Sequence, residues 1–483
     1  MLPELQRSIT WIQGTALTIG AVLGCGILIL PSVTADAAGP ASLFVWVFMS
    51  FLSFLLVGTL ARLVKIAPSA GGITAYVQLA FQKKAGAILG WIMLGSVPIG
   101  VPIIALTGAH YVSYVTEAAD WQVTSIAGCM LAISILLHMR GIQLSANIST
   151  LVICVIVFLL VTSIAVSLPY VTIAEFKPFL PHGWSAAGSV SVMIFFSFVG
   201  WEMITPLAEE FHRPEKDVPL SLFLAASCVA GLYIMLSFVT VGTHSYGQNG
   251  EIASLAMLIS KGAGESGVYV TVCLALFITF ATIHANIAGF SRMVYALARE
   301  GHIPVFFGKL SATKRTPIRV LTAMAAVFGL VLATHGLFQI DLTTLLKGPS
   351  AAFIASYICT LAAALKLLSW RDSGWWMALG AFVACAVIYS FSGWALLYPA
   401  VLAAAGYFYM KTKGGHKKSS ITFRDQAFSL SVLLAVISRI AVLKHVGHRT
   451  ESQDSRTRFH GPHKDVKEMH SAPRFFRKLC ARG

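Results

Sequence analysis

Ile19-Gly20-Ala21-Val22-Leu23-Gly24-Cys25-Gly26-Ile27 is the stretch on which the fold turns. Three glycines fall within seven residues, in the middle of an apolar run that starts near Trp11. One reading is close helix packing through Gly20 and Gly24, small residues four apart. The other is a local unwinding that frees backbone N–H and C=O groups, which hydrocarbon does not tolerate unless they line a polar cavity and meet a ligand. Taken alone, the stretch favours packing. A second one shifts the weight: Phe195-Phe196-Ser197-Phe198-Val199-Gly200-Trp201-Glu202 puts another glycine interruption, and a carboxylate, deep in another apolar run. Matched interruptions in two halves of a chain point to an inverted-repeat transporter whose substrate site lies where the breaks meet. A half-helix N-terminus offers N–H groups to a carboxylate, and a half-helix C-terminus offers carbonyls to an ammonium, so the pair suits a zwitterion.

Composition agrees. Of 483 residues, 57% are hydrophobic and only 11% are Asp, Glu, Lys or Arg, against about 25% charged in soluble domains. Mean hydropathy is +0.77. Apolar runs fall at 11–33, 39–61, 85–115, 122–139, 143–168, 183–209, 218–242, 265–298, 318–338, 341–367, 373–391 and 393–411. Each reaches, or nearly reaches, the length of about 20 residues that crosses a bilayer. The expected fold is therefore an all-α polytopic membrane protein of twelve spans. Ala35-Asp36-Ala37 resembles a signal cleavage site, but the preceding run is long for one and its glycines pair with the second interruption. The segment Ser69 to Phe81 is too short and polar to span, and reads as an interfacial or re-entrant piece.

Positive residues orient the chain. With Arg7 inside, the same side receives Arg62, Lys65, Lys83, Lys84, Arg140, Arg213, Lys216, Arg299, Lys309, Lys314, Arg315, Arg319 and Arg371, whereas Lys177 and Lys261 fall opposite. Both termini are expected in the cytoplasm, with residues 1–10 leading in. Trp11, Trp91, Trp121, Trp184, Trp370, Trp375 and Trp376 fall near span ends, where indole rings anchor. Beyond the last span, 412–483 reads as a basic, disordered cytoplasmic tail. Its 443–483 part holds ten Lys/Arg and four Asp/Glu, or +6 of the net +15. Ala427 to Val442 reads as an interfacial helix. Charge alone allows nucleic-acid binding, but no folded module supports it.

The motifs carry a family resemblance. G-x-x-x-G-x-G-I at Gly20–Ile27, F-x-G-x-E at Phe198–Glu202, Ala208-Glu209-Glu210 with Pro214 to Pro219, and Asn286 to Gly289 followed by Ser291 to Pro304 resemble the amino acid–polyamine–organocation transporter family. Within it, Pro68 to Gly72, Ser96 to Gly100, and Arg140-Gly141 with Ser145-Ala146-Asn147 look most like bacterial exporters of methionine and branched-chain amino acids. The resemblance covers residues 1 to about 411. It implies a five-plus-five inverted repeat, 11–168 and 183–369, with two further spans in 373–411. It also implies an amino-acid substrate, no cofactor, and protons as a candidate coupling ion. By motif position, the carboxylate would meet the backbone around Gly24, Cys25 and Gly26, and the ammonium the carbonyls of Val22, Phe196 and Val199. Phe198 and Trp201, flanking Gly200, would shape the pocket or gate. Cys25 stands where relatives often have Ser, which weakens polar recognition and favours an apolar substrate. Where some relatives carry a coupling lysine, Leu151 to Leu160 is entirely apolar. The sequence leaves a homodimer open.

Intramembrane ionisable groups are functional candidates by default. Glu202 is either a structural carboxylate bonded to freed backbone or a proton-linked gate. His284 and His110 read as satisfied core histidines. Lys347 reads as snorkelling, and Arg292 and Glu209 each as paired with charges or backbone near the cytoplasmic ends. Of seven cysteines in apolar runs, all but Cys25 read as buried small hydrophobes, and no metal-site spacing appears. No H-E-x-x-H, G-x-S-x-G or G-x-x-x-x-G-K-[ST] suggests an enzyme or an ATP-driven pump. No filter suggests a channel. The C-terminal tail keeps a transporter-like sensor as a rival.

Overall fold

The apolar runs become helices almost where the sequence places them. The computed structural model describes residues 5–24, 26–116, 118–247, 266–338, 342–390 and 393–414. The first run divides into α1 (Trp11–Leu23) and α2 (Gly26–Ala38). Then come α3 (Ser42–Ile66), α4 (Ile73–Phe81), α5 (Lys83–Thr116), α6 (Asp120–Met139) and α7 (Ile142–Ser167). The second interrupted run divides into α8 (Gly183–Phe196) and a 3₁₀ segment, Trp201–Glu210. After it follow α9 (Pro214–Gly242), α10 (Ser266–Arg299), α11 (Ile318–Phe338), α12 (Leu342–Leu367), α13 (Ser373–Ser390) and α14 (Leu397–Gly414). Met1–Met410 forms one unit. Of the tail, only the last residues of α14 fall within the description, so the expectations for its disorder and for Ala427 to Val442 lie outside it.

Among the described residues, nine helical stretches are long and apolar enough to cross a membrane. Their surface is that of a membrane protein. Phe51, Leu151 and Phe158 are all more than 60% exposed, while Ser50, Ser96, Thr240 and Thr279 are buried and turn their hydroxyls onto the carbonyl four residues back. Apolar outside and satisfied polar inside is the arrangement hydrocarbon requires.

Local sequence sets the ends. Thr10 and Gln13 form a capping box at the start of α1, and Gln13 Nε2 reaches Asn147 Oδ1 of α7 at 2.5 Å. Pro214 opens α9, with Glu215 and Asp217 in its first turn, where acidic groups complement the helix dipole. α1 is the inner helix: its residues from Ala16 to Leu23 are all buried, and it packs on α7, α9 and α10. The segment after Pro68 becomes the nine-residue α4, packed against α5 and α12.

Two expectations need correction. Cys129, Cys154 and Cys273 are exposed, Cys228 and Cys359 half-buried, and only Cys385 is buried. An apolar run faces lipid as readily as core, so hydrophobic neighbours in sequence do not imply burial. Trp91 packs against Tyr409 of α14 at 5.0 Å between ring centroids. The last helix continues to Gly414, past the expected start of the tail. Lys347 is exposed. Glu209 bonds Arg299 at 3.1 and 2.8 Å and accepts from the Ala70 N–H at 2.9 Å. Arg292 bonds Glu210.

Candidate functional site

The two interruptions adjoin. α1 stops at Leu23, Gly24 takes φ +48°, and the helix restarts as α2 at Gly26. α8 stops at Phe196, and the 3₁₀ segment starts after Gly200, at φ +127°. Both angles lie where L side chains are disfavoured, so glycine is the residue that fits. A Cβ built on Gly26 would run into Ser197 Oγ. One built on Gly200 would stand 2.6 Å from the carbonyl oxygen of Ala21. Backbone therefore touches backbone across the two breaks.

α9 and α12 complete the arrangement. The Tyr233 hydroxyl, from α9, lies 2.9 Å from the Leu23 carbonyl and 3.1 Å from that of Ser197, with Val22 O at 3.5 Å. A single O–H thus gathers freed carbonyls from both interrupted helices. Tyr357, from α12, accepts the Gly200 N–H at 3.1 Å and donates to the Glu202 carboxylate. Phe198 and Trp46 pack against the Tyr233 ring at 5.0 and 4.9 Å. The immediate surroundings are aromatic and aliphatic.

Most of the sequence-selected residues converge here. Val22 is buried in the last turn of α1, Gly24 and Gly26 flank the first break, and Phe198, Gly200, Trp201 and Glu202 are buried at the second, with Val199 half-buried. Cys25 lies outside the described residues, as does the side chain of Phe196. The carbonyls that meet one hydroxyl are those of Leu23 and Ser197, each adjacent to one named from sequence. Ser197 Oγ, Trp201 Nε1 and the second Glu202 oxygen, Oε1, are buried with no hydrogen-bond partner among the described residues. Each such group costs about 1–3 kcal/mol if it stays unpaired. All three belong to the stretch Ser197 to Glu202 at the second break.

Sequence reading missed Tyr233, Tyr357, Trp46 and Ser197. The first three are aromatics in spans with no local motif. Ser197 was visible inside the quoted stretch, a hydroxyl one residue past the end of a broken helix.

A multi-pass helical membrane protein with two interrupted helices meeting in its interior has the build of a carrier. The chain belongs to the amino acid permease family, whose model matches residues 9–421. It is 97% identical over 418 residues to the uncharacterized amino acid permease YecA of Bacillus subtilis, a match spanning 86% of this chain and 99% of that one. It is 27% identical over 429 residues to the L-methionine/branched-chain amino acid exporter YjeH of Escherichia coli, spanning 86% and 99%. Likeness to the branched-chain amino acid permease BcaP of B. subtilis is 22% over 334 residues, 65% and 72% of the two chains.

Proposed function

We propose that this protein exports or exchanges apolar amino acids, namely methionine, leucine, isoleucine and valine, across the cell membrane by alternating access. The observation that carries this reading is the contact of the two breaks, with unpaired polar atoms beside an aromatic wall. The substrate carboxylate would take backbone N–H groups around Gly24, Cys25 and Gly26. Its ammonium would take carbonyls of Val22, Phe196 and Val199, with those of Leu23 and Ser197 alongside. Phe198, Trp201 and Tyr233 would receive an apolar side chain. Glu202 gates the site, braced by Tyr357 against the turn at Gly200. Likeness to an exporter of methionine and branched-chain amino acids supports the substrate class.

Twelve spans in a five-plus-five inverted repeat with two added helices, both termini cytoplasmic, form the framework of this reading. The lopsided lysine and arginine distribution supports the orientation. Purified protein in liposomes is expected to exchange labelled leucine or methionine against unlabelled substrate. Binding without flux overturns the reading. Proton-coupled uptake is the second reading, supported by likeness to a branched-chain permease. Accumulation of leucine by oriented vesicles, driven by an inward proton gradient, would favour it over export.

Tyr357→Phe leaves the Gly200 N–H and the Glu202 carboxylate without their shared partner. The loss is expected to be about 1–3 kcal/mol, read as a roughly 5- to 150-fold lower flux at limiting substrate. Wild-type flux in Tyr357→Phe would remove the brace from the mechanism. Glu202→Gln with an unchanged pH profile of flux would exclude a proton-linked gate at that carboxylate.

A further inference from the structure

The substrate site leaves a buried histidine pair unused. His138, on α6, and His284, on α10, are both fully buried and stack with ring centroids 4.1 Å apart and planes 22° from parallel. Ser145, on α7, joins them: its Oγ lies 2.8 Å from His138 Nδ1 and 2.7 Å from His284 Nε2. His138 Nε2 is 2.9 Å from the carbonyl oxygen of His284, and His284 Nε2 is 3.1 Å from that of Ser145. Ser134 Oγ is 2.9 Å from His284 Nδ1.

These partners assign the protons. A carbonyl only accepts, so each ring carries its proton on Nε2 and donates it. Both Nδ1 atoms are then acceptors, His284 from the Ser134 hydroxyl and His138 from the Ser145 hydroxyl. The result is a directed chain, His284 Nε2–H to Ser145 Oγ–H to His138 Nδ1. When a proton adds to His284 Nδ1, with the Ser134 hydroxyl turning to accept it, the Nε2 proton passes to Ser145 Oγ. The hydroxyl's own proton passes to His138 Nδ1. Two bonds to hydrogen break and three form, the third being that of the added proton on His284 Nδ1, and the added charge ends on His138. Two imidazoliums at this separation would repel by about 4 kcal/mol at an effective dielectric of 20, so the pair holds at most one proton.

Among the described residues, Arg292 is the charge whose field reaches both rings, and Glu210 is bound to it. α1 carries no ionisable residue, and α7 only the exposed Cys154. Asp120 of α6, and Arg319 and His335 of α11, lie in terminal turns. Lys83 and Lys84 open α5, whose His110 interacts with His335 and Asp120. His284 is three residues from Ala281, against whose carbonyl Gly20 of α1 packs; a Cβ on Gly20 would stand 3.2 Å from that oxygen. The pair thus sits one helical turn from the contact that seats α1, four residues before its break.

We infer that His138, Ser145 and His284 form a proton site that couples transport to the binding of one proton, an inference that rests on the transport reading above. The test uses full-length protein in liposomes with labelled leucine. Substrate-for-substrate exchange at equal pH requires no net proton release, so His284→Gln, His138→Gln and Ser145→Ala are expected to retain it, which also shows that they fold. A pH step of one unit is expected to drive about tenfold accumulation in the wild type, as one proton per substrate allows, and none in the three variants. Tenfold accumulation that survives in the histidine variants, or a wild type that exchanges but ignores the gradient, overturns the site. Absence of any wild-type flux would instead defeat the transport reading. Independently of flux, labelled imidazole resonances, assigned with the two variants, are expected to show His138 and His284 titrating together with one proton, and independent or absent titration overturns the site.

Discussion

Gly200→Ala is expected to insert and accumulate in the membrane, yet to lose about a hundredfold or more in amino-acid flux, the scale of loss for reacting or binding groups displaced by about 1 Å. Two effects act on one methyl group. At φ +127° an alanine is held in a sparsely populated region, at a cost of about 1–3 kcal/mol. The added Cβ would also stand 2.6 Å from Ala21 O and 2.9 Å from Ala21 C. These are backbone atoms of α1, so no side chain can swing aside, and α1 must move away from the 3₁₀ segment. That motion separates the carbonyls that Tyr233 gathers and strains the Tyr357 bond to the Gly200 N–H. Gly188, on α8 of the same interrupted run, is the control. A Cβ there meets nothing within 4 Å, and Gly188→Ala is expected to transport normally. Liposome flux, normalised to correctly inserted protein, separates the two variants. Normal flux in Gly200→Ala would show that the breaks need not touch for transport.

The two breaks and most helix limits were legible because they are local. Gly20-x-x-x-Gly24-x-Gly26 and Phe198-Val199-Gly200-Trp201-Glu202 announce their backbone in the residues themselves. The partners of the breaks were not legible. Tyr233 lies 210 residues from Leu23, and Tyr357 lies 157 from Gly200. In a soluble helix the apolar stripe would have shown which face turns inward. Here the spans are apolar all round, so the inward face of α9 or α12 is set by neighbours and not by pattern. The cysteines fail for the same reason: Cys154 and Cys385 sit in equally apolar runs, and one faces out while the other is buried. His284 was expected to be a satisfied core histidine, and its ring nitrogens are indeed held. Its stacking on His138 depends on three helices meeting, which no window of sequence contains.

Arg292→Met is expected to cost about 3–5 kcal/mol of stability, the range for breaking a buried pair and stranding one charge. Arg292 and Glu210 side chains are 0% and 1% exposed. The guanidinium donates through Nε to Glu210 Oε2 at 3.1 Å and through Nη2 to Oε1 at 3.3 Å, and Nη1 donates to Ser291 Oγ at 3.0 Å. The pair pins the end of the Trp201–Glu210 segment to α10. The same face of α10 carries Gly289, whose added Cβ would strike the Met203 carbonyl. Losing the pair therefore loosens the element that follows the second break. The double variant Arg292→Met/Glu210→Leu removes both charges, and is expected to recover much of the loss, because desolvation of the pair offsets most of its attraction. Thermal unfolding in detergent across the four proteins of the cycle yields the coupling. Arg299–Glu209, with side chains 23% and 22% exposed, provides the comparison, expected to contribute about 1 kcal/mol or less. If Arg292→Met and Arg299→Met destabilise equally, or the double variant is no more stable than Arg292→Met, the buried pair is not what seats the segment on α10.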